Sequence, residues 1–283
     1  MRPVIAVVVA AGRSRRMSGT DALPTNKLLL TVRGRSVLSM TLRVFQDSRT
    51  VNRIYVTSCA EDIETYTMLA ASEGLSKVAA VLQGGDERQQ SVHRALQFIR
   101  QHDPEAGCDP LVAIHDGARP LLVGARLEAL LHAADGLLER DPCGATLLCV
   151  PIKDTLKRVQ RDLVIETIAR EEVMVAQTPQ VFRLGTILGA HEEAAAEGFA
   201  ATDDAMLLER KGATVLAVHG DYENIKVTTP EDLVVVEGIL DRRQAHRPTR
   251  GLTVVESPNG CRVPPDTCET VEQTVHVIES PRP

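Results

Sequence analysis

Aromatic side chains are scarce in this chain, and their scarcity narrows the possible functions. Aromatic residues make up 2% of the sequence and tryptophan is absent, which argues against the base-stacking platforms of proteins that bind single strands. The formal net charge is −6 and the pI is near 5.8, which argues against a nucleic-acid coat or a protein held on an anionic membrane surface. No apolar stretch reaches the length of a membrane span. We therefore expect neither a nucleic-acid nor a membrane partner.

The 6 cysteines are scattered, and none belongs to a Cys-x-x-Cys pair. This usage is typical of free thiols in a reducing cytosol. Cys261 and Cys268 lie close enough along the chain to pair or to share a metal, but nothing nearby supplies a full ligand set. The N-terminus leads straight into a strand pattern and does not resemble a secretory signal. These features predict a cytoplasmic protein.

Two common phosphate-binding glycine motifs are also missing. The sequence contains neither G-x-G-x-x-G after its first strand pattern nor G-x-x-x-x-G-K-[ST], so it has no dinucleotide fingerprint and no ATPase P-loop. What it has instead is a β-branched apolar run, Val4–Val9, that ends in the small residues Ala10, Ala11 and Gly12. The run predicts a parallel strand buried on both faces. The small residues allow backbone N–H groups to approach a ligand closely.

Cationic side chains follow this strand at once. Arginine occupies positions 13, 15 and 16, and Lys27 follows. Crowded cations beside a small-residue turn are favourable if a polyphosphate binds there. Arg16 and Lys27 would suit an enzyme that attacks the α-phosphate of a nucleoside triphosphate, because fixed cations stabilise the charge that develops. The alternative interpretation is an ordinary strand followed by a solvated basic loop.

Strand-like and helix-like segments alternate through most of the 283 residues, enough for one large α/β domain. The alternation predicts a mainly parallel twisted sheet with helices on both faces and ligands at the carboxyl ends of the strands. The predicted strands are Val4–Ala10, Arg53–Ser58, Lys77–Leu82, Pro110–His115, Ala145–Val150 and Thr214–Val218. The predicted helices are Ser36–Gln46, Glu61–Glu73, Gln89–Gln101, Ala125–Glu139, Leu184–Glu197 and Asp203–Lys211, with a last one starting at Pro230.

Residues 152–175 interrupt the alternation. Short alternating runs at Thr155–Val159 and Leu163–Ile168 predict a protruding β-hairpin that is too small to form its own core. A second subunit is the natural partner for such an arm, and the alternative is a hairpin folded back on its own sheet. Beyond residue 241 the chain becomes rich in proline. We therefore predict one domain over residues 1–241 and a mostly disordered tail over residues 242–283.

Two strand ends carry polar clusters that suit ligand binding. The loop Gly84–Ser91 joins two glycines, which allow close approach of a flat group, to polar side chains that can bond a base or ribose. In the cluster His115–Pro120, Asp116 can hold Mg²⁺ directly or through water, and Arg119 can clamp a phosphate. The alternatives are a helix cap for the first cluster and an Asp–Arg pair that stabilises the loop for the second. His115 is interpreted as a packed residue without a chemical role.

Taken in order, these motifs resemble the 2-C-methyl-D-erythritol 4-phosphate cytidylyltransferases, which belong to the nucleotidylyltransferase family with a Rossmann-like fold. The resemblance runs from Val4 to about Leu240. The matching motifs are Ala10-Ala11-Gly12, Arg16-Met17, Lys27, Gly84–Arg88 with Ser91, His115–Pro120, Asp154-Thr155, Thr167 with Arg170, Gln177–Gln180, Thr202-Asp203 and Asn224–Val227. The chain departs from the family where Pro24-Thr25-Asn26 replaces a proline directly before the lysine. It also has Gly117 where alanine is usual and Ala169 where an acidic residue is common.

The resemblance implies a transfer of the cytidylyl group from CTP to 2-C-methyl-D-erythritol 4-phosphate with Mg²⁺, in a homodimer joined through the arm. The implied catalytic residues are Arg16, Lys27 and Lys226. The implied nucleotide-binding residues are Ala10, Ala11, Gly12, Gly85, Asp86, Arg88 and Ser91. The implied substrate-binding residues are Asp116, which also places the metal, Arg119, Thr155, Arg170 from the partner subunit, Thr178, Thr202 and Lys226. A cytidylyltransferase for another polyol phosphate, such as ribitol 5-phosphate, and a catalytically silent nucleotide-binding homologue are the alternatives.

Overall fold

The computed structural model describes residues 2–12 and 26–245. Three sequence predictions lie outside these residues: the role of Arg16, the possible pairing of Cys261 with Cys268, and the structure of the tail from residue 246 onward. Within the described residues, Cys59, Cys108, Cys143 and Cys149 are free thiols, as predicted.

In the described residues, one large sheet has the strand order β11-β7-β10-β6-β1-β4-β5. Its strands are β1 (Val4–Val9), β4 (Val51–Ser58), β5 (Val78–Gln83), β6 (Leu111–Asp116), β7 (Ala145–Pro151), β10 (Met174–Arg183) and β11 (Val215–His219). All neighbouring pairs are parallel except those that involve β10. Thr31–Val32 (β2) pairs with Arg35–Ser36 (β3) in a small separate hairpin. The predicted mainly parallel sheet is confirmed.

The helices cover both faces of the sheet. They are α1 (Val37–Asp47), α2 (Ile63–Ser72), α3 (Arg88–His102), α4 (Gly124–Arg140), α5 (Leu184–Glu197), α6 (Ala205–Glu209) and α7 (Glu231–Ala245). Strand β1 shows why two cores form, because successive side chains of a strand point to opposite faces. Val4, Ala6 and Val8 pack with α1, α2, α4 and α7, whereas Ile5 and Val7 pack with α3, α5 and α6.

Strand β10 is the main feature that the sequence pattern did not predict. It lies antiparallel between β6 and β7, with Val181 paired to Ala113 on one side and to Thr146 on the other. The polar motif Gln177–Gln180 lies inside this strand, where Gln177, Thr178 and Gln180 are buried. Buried polar side chains hide the alternation that marks a strand. The carboxyl end of β6 is therefore bordered by polar groups of an inserted strand.

The predicted hairpin is present. Strands β8 (Leu156–Gln160) and β9 (Leu163–Ile168) pair antiparallel, and a short 3₁₀ turn, Arg170–Glu172, follows them. Because β10 begins at Met174, we define the arm as residues 152–173. The arm exposes large apolar side chains, with Leu163 69% and Val164 61% exposed. A two-stranded hairpin of this kind has no core of its own.

The last helix passes the predicted domain boundary at residue 241. Helix α7 continues to Ala245, where Arg242 and Arg243 both contact the Glu223 carboxylate. Residues 242–245 are therefore helical and do not belong to a disordered tail. Among the described residues, none of the helices combines the length and the apolar character that crossing a membrane requires.

Candidate active site

A pocket opens where β1, β5 and β6 end. Its lining includes ten of the predicted site residues, namely Ala10, Ala11, Gly12, Lys27, Gly85, Asp86, Arg88, Ser91, Asp116 and Lys226. The backbone at its floor is tightly tied, since the Ala10 N–H donates to the Thr57 carbonyl (3.0 Å) and the Gly117 N–H donates to the Val9 carbonyl (2.9 Å). The carboxyl ends of parallel strands thus meet where ligands bind in open α/β sheets.

Glycines let the two loops of the pocket pack closely. A Cβ at Gly84 would lie 2.4 Å from the Ala11 Cβ and 2.7 Å from the Ser91 Oγ, and a Cβ at Gly85 would lie 2.4 Å from the Gln90 Cβ. Such distances exclude any side chain at either glycine unless the loop moves. Gly84 therefore holds the end of β5 against the small-residue loop that follows β1.

The Gly84–Ser91 loop is held mainly by its own hydrogen bonds. The Gly85 N–H donates to the Ser91 Oγ (3.0 Å), and the Ser91 hydroxyl donates to the Glu87 carbonyl (3.1 Å). Glu87 and Gln90 form a capping box at the start of α3. The Ser91 side chain is thus occupied in shaping the loop, whereas Asp86 is exposed at the pocket. The segment is therefore a helix cap that also lines the pocket, and its contact with a nucleotide stays a prediction.

Asp116, at the end of β6, is the centre of the charged groups in the pocket. Its Oδ1 accepts from the Arg88 Nε (3.1 Å), and its Oδ2 lies 2.8 Å from the Lys226 Nζ and 3.6 Å from the Arg119 Nε. Burial alone would raise the pKa of this carboxyl, but the adjacent Arg88 and Lys226 charges hold the pKa well below its usual range. Asp116 is therefore ionised at neutral pH and orders the cations around it.

A loop from the far end of the chain completes the pocket. The Lys27 Nζ donates to the Val227 carbonyl (2.8 Å), and the Val227 N–H donates to the Ala118 carbonyl (2.8 Å). The Arg119 Nη1 donates to the Asn224 carbonyl (2.7 Å). These bonds bring Lys27 and Lys226 to the same pocket although they lie far apart in the sequence.

Thr178 acts behind Asp116 and does not line the pocket. Its Oγ1 accepts from the Asp116 backbone N–H (3.1 Å) and bonds to the His115 Nδ1 (3.0 Å). Burial lowers the pKa of His115 to about 4, and its ring packs against Phe45 with centroids 5.2 Å apart. His115 is therefore a neutral, packed residue, as predicted.

Arg119 and Thr178 contact Asp116 without lining the pocket, and three further predicted site residues lie away from it within the subunit. Thr155 is exposed at the base of the arm, and the Arg170 side chain is 57% exposed, with its Nη1 donating to the Lys153 carbonyl (3.3 Å). Thr202 is exposed at the turn before α6. Their predicted contacts with a substrate stay predictions.

Asp204 is a site residue that the sequence reasoning missed. Its carboxylate is buried and accepts from the Arg88 Nη1 (2.7 Å), and the His191 Nε2 lies 3.2 Å away. Burial would raise the pKa of Asp204, but the Arg88 charge and the His191 hydrogen bond lower it. Arg88 therefore bridges Asp204 and Asp116. The sequence Thr202-Asp203-Asp204 could have indicated Asp204, but the prediction selected Thr202.

The donor set of the pocket bears on the predicted Mg²⁺. The described residues contain no group of three or more His, Cys, Asp or Glu side chains that could hold a metal ion. Arg88 contacts Oδ1 of Asp116, whereas Arg119 and Lys226 share Oδ2, so Oδ1 is the less crowded oxygen. Because Mg²⁺ is commonly bound by one or two carboxylates together with substrate phosphates, the residues fit a metal that arrives with a triphosphate.

Comparisons with known proteins agree with this architecture. A family model described as IspD: 2-C-methyl-D-erythritol 4-phosphate cytidylyltransferase matches residues 4–242. The enzyme of that name from Pelotomaculum thermopropionicum is 44% identical over 247 residues, covering 86% of this chain and 97% of the relative. The one from Geotalea uraniireducens is 42% identical, covering 86% and 99%.

Solved structures agree as well. The 4-diphosphocytidyl-2C-methyl-D-erythritol synthase of Anaerococcus prevotii superposes with a TM-score of 0.69 at 28% identity, covering 85% of this chain and 97% of its own. The cytidylyltransferase of Thermus thermophilus gives a TM-score of 0.63 at 28% identity, covering 85% and 100%. The sheet and its pocket define a nucleotidyltransferase with a Rossmann-like fold. Within that class, the chain belongs to the 2-C-methyl-D-erythritol 4-phosphate cytidylyltransferase family.

Proposed function

We propose that this protein transfers the cytidylyl group of CTP to 2-C-methyl-D-erythritol 4-phosphate and releases pyrophosphate. An oxygen of the substrate phosphate attacks the α-phosphorus of CTP, the bond to the β-phosphate oxygen breaks, and 4-diphosphocytidyl-2-C-methyl-D-erythritol forms. The observation that carries the proposal is the meeting of Lys27, Lys226 and the Asp116 cluster at a glycine-lined loop, in a chain of this family.

The nucleotide would lie against the two tightly packed loops. Backbone N–H groups of Ala10, Ala11 and Gly12 would cradle the triphosphate, and Gly85 and Asp86 would bond the cytosine edge. Ser91 and Arg88 would act by holding that second loop in shape, because the Ser91 Oγ and the Arg88 Nε and Nη1 are bonded within the protein. Arg16, Lys27 and Lys226 would stabilise the charge that develops on the α-phosphate.

The attacking group needs no strong base, because a phosphate oxygen is already anionic at pH 7. Positioning and charge neutralisation would then supply most of the rate. Asp116 would help to hold Mg²⁺, which when bound would supply charge neutralisation on the phosphate oxygens. Arg119 and Lys226 lie beside the Asp116 carboxylate, which supports their assignment to the polyol phosphate end. Thr178 lies behind Asp116, and its assignment to that end rests on the family resemblance. Thr202 is assigned to the same end through the family resemblance.

The arm would serve a homodimer. Its exposed apolar residues support a protein partner. Arg170 would reach the substrate phosphate in the pocket of the second subunit, and Thr155 would hold the polyol phosphate. We also propose a cytoplasmic location, which is supported by the four free thiols among the described cysteines.

The test is release of pyrophosphate by purified protein with CTP and Mg²⁺, with 2-C-methyl-D-erythritol 4-phosphate and ribitol 5-phosphate in parallel. We expect release with the former alone. Release with ribitol 5-phosphate alone would overturn the substrate and leave the chemistry standing. Release with neither would overturn the proposed activity.

A further inference from the structure

Asn26 lies directly before Lys27, and its side chain uses all of its main hydrogen-bonding groups. The amide nitrogen donates to the Asp62 Oδ2 (2.7 Å) and to the Tyr66 hydroxyl (2.7 Å). The amide oxygen accepts from the Leu28 N–H (3.0 Å) and caps the 3₁₀ turn Lys27–Leu29. One side chain therefore ties the Lys27 backbone to the start of α2.

The other end of this connection is firmly held. Tyr66 is 1% exposed within the core, and burial raises the pKa of its hydroxyl, so the group stays neutral. The Cys59 thiol donates to the same Asp62 oxygen (2.8 Å), and burial together with Asp62 raises the pKa of that thiol to about 11. Asp62 therefore accepts hydrogen bonds from both Asn26 and Cys59 and is fixed between them.

The Lys27 side chain points from this anchored turn to the other side of the pocket. Its Nζ meets the Val227 carbonyl (2.8 Å), next to Lys226, whose Nζ lies 2.8 Å from the Asp116 Oδ2. A lysine ammonium is a point charge on a flexible four-carbon stem. Its position therefore depends on how well the backbone beneath it is held.

We propose that Asn26 is a positioning residue for the reaction: by linking the Lys27 turn to Asp62 and Tyr66, it holds the Lys27 ammonium where the α-phosphate of CTP reacts. The inference rests on the proposed function. Asn26 does not touch the reacting atoms and acts through Lys27 alone. Misplacement by about 1 Å can cost a hundredfold in rate, so the loss of this link should be visible in turnover.

The test compares Asn26→Ala with Asn52→Ala. Asn52 makes a similar structural bond, since its Oδ1 accepts from the Val4 N–H (2.9 Å), but it does so at the opposite end of β1. We expect Asn26→Ala to lower kcat by about tenfold to thirtyfold, with KM for CTP changed by less than about threefold. Asn52→Ala should leave kcat at the wild-type value. Asn26→Asp retains the cap oxygen and loses both donors, so it should lose as much turnover as Asn26→Ala.

A double variant separates positioning from general support of the fold. In the Lys27→Ala background, Asn26→Ala should cause no further loss of kcat, because residues that act as a unit are not additive. An equal loss in both backgrounds would overturn the inference, as would equal kcat values for Asn26→Ala and Asn52→Ala.

A second readout does not depend on activity. Labelling with acetic anhydride, followed by mass spectrometry, measures how accessible the Lys27 amine is relative to the surface Lys211. We expect Asn26→Ala to speed labelling of Lys27 on the order of threefold, and Asn52→Ala to leave it unchanged. Unchanged labelling in Asn26→Ala would overturn the inference. If the wild type releases no pyrophosphate, the proposed function fails while this readout still decides whether Asn26 holds Lys27.

Discussion

The pocket and the arm differ in how their charged side chains are partnered. In the pocket, Asp116 has Arg88, Arg119 and Lys226 as partners within the same chain, and the surrounding strands bury it. In the arm, apolar side chains are exposed and Arg170 reaches only its near neighbours, Lys153 and Glu171, among its described polar contacts. The charged groups around Asp116 are held by partners within the subunit, whereas the arm leaves Arg170 and its apolar side chains exposed.

The largest expected effect is at the pocket, for Lys27→Ala. Loss of a preorganised cation should lower kcat by about a thousandfold while KM for CTP changes by less than about fivefold, because the charge matters most in the transition state. Steady-state assays of pyrophosphate release measure both constants. Lys77→Ala, which removes a lysine bonded at the Ser48 carbonyl, is the control. An equal loss in binding and turnover would contradict this role.

For the arm we expect a smaller loss of activity, which affects use of the polyol phosphate. Arg170→Ala should lower kcat/KM for the polyol phosphate by about a hundredfold, as expected for the loss of a charge-assisted phosphate contact. Arg158→Ala, on the same arm, should have little effect, because Arg158 is paired with Glu166.

Subunit mixing tests whether that loss acts between subunits. If Arg170 serves the partner's pocket, mixing Arg170→Ala with Lys27→Ala should restore some activity, since heterodimers then contain one intact site. If activity does not recover under conditions where the subunits demonstrably exchange, Arg170 does not act in the partner's pocket.

Asp204→Asn tests the buried support of the pocket. Loss of this charge leaves Arg88 with Asp116 alone, and we expect kcat/KM for CTP to fall by about thirtyfold. Asp103→Asn is a matched control, because the Asp103 side chain is also fully buried and bonds to Tyr55 (2.7 Å) away from the pocket. If both variants lose stability and neither loses activity, Asp204 supports only the fold.

The smallest effect on activity is expected at His115, where the readout is stability against pH. Burial lowers its pKa to about 4 in the folded protein, whereas an unfolded histidine titrates near 6.5. The folded state thus binds fewer protons between these values, and stability falls as pH falls through this window. At pH 5 the loss should be about 2 kcal/mol.

Urea unfolding of wild type and His115→Gln at pH 7 and pH 5 measures this contribution. The variant should lose less stability on acidification than the wild type does. The exposed His132→Gln serves as control and should behave as the wild type. Identical pH dependence in all three proteins would show that His115 is not the source.

Sequence reasoning succeeded where a local pattern and a loop motif coincide. The run Val4–Val9 and the small residues after it predicted both a buried strand and one wall of the pocket. The same holds for Asp116, which follows the buried residues of β6. It failed where the burial of polar groups depends on distant partners. Gln180 accepts from the Asp204 and Ala205 N–H groups across the fold, and no spacing in the sequence encodes that contact.

The order of the strands in the sheet could not be predicted from the sequence either. The alternation of elements predicts which segments pair in parallel, but the insertion of β10 between β6 and β7 depends on how the chain returns from the arm. Asn26 illustrates a subtler limit. In the sequence it is only a polar residue before Lys27, and its two bonds to Asp62 and Tyr66 form once α2 is folded beside it.

The place of β10 in the sheet has a consequence for the order of synthesis. Strand β7 lies between β10 and β11, and both leave the ribosome after it. From the emergence of Pro151 until Arg183 follows, a nascent chain carries β7 with both edges open, preceded by β1, β4, β5 and β6, which can already pair among themselves. Open strand edges favour pairing with other chains. A chain interrupted after β7 has emerged and before β10 follows would therefore expose these open edges to pairing with other chains.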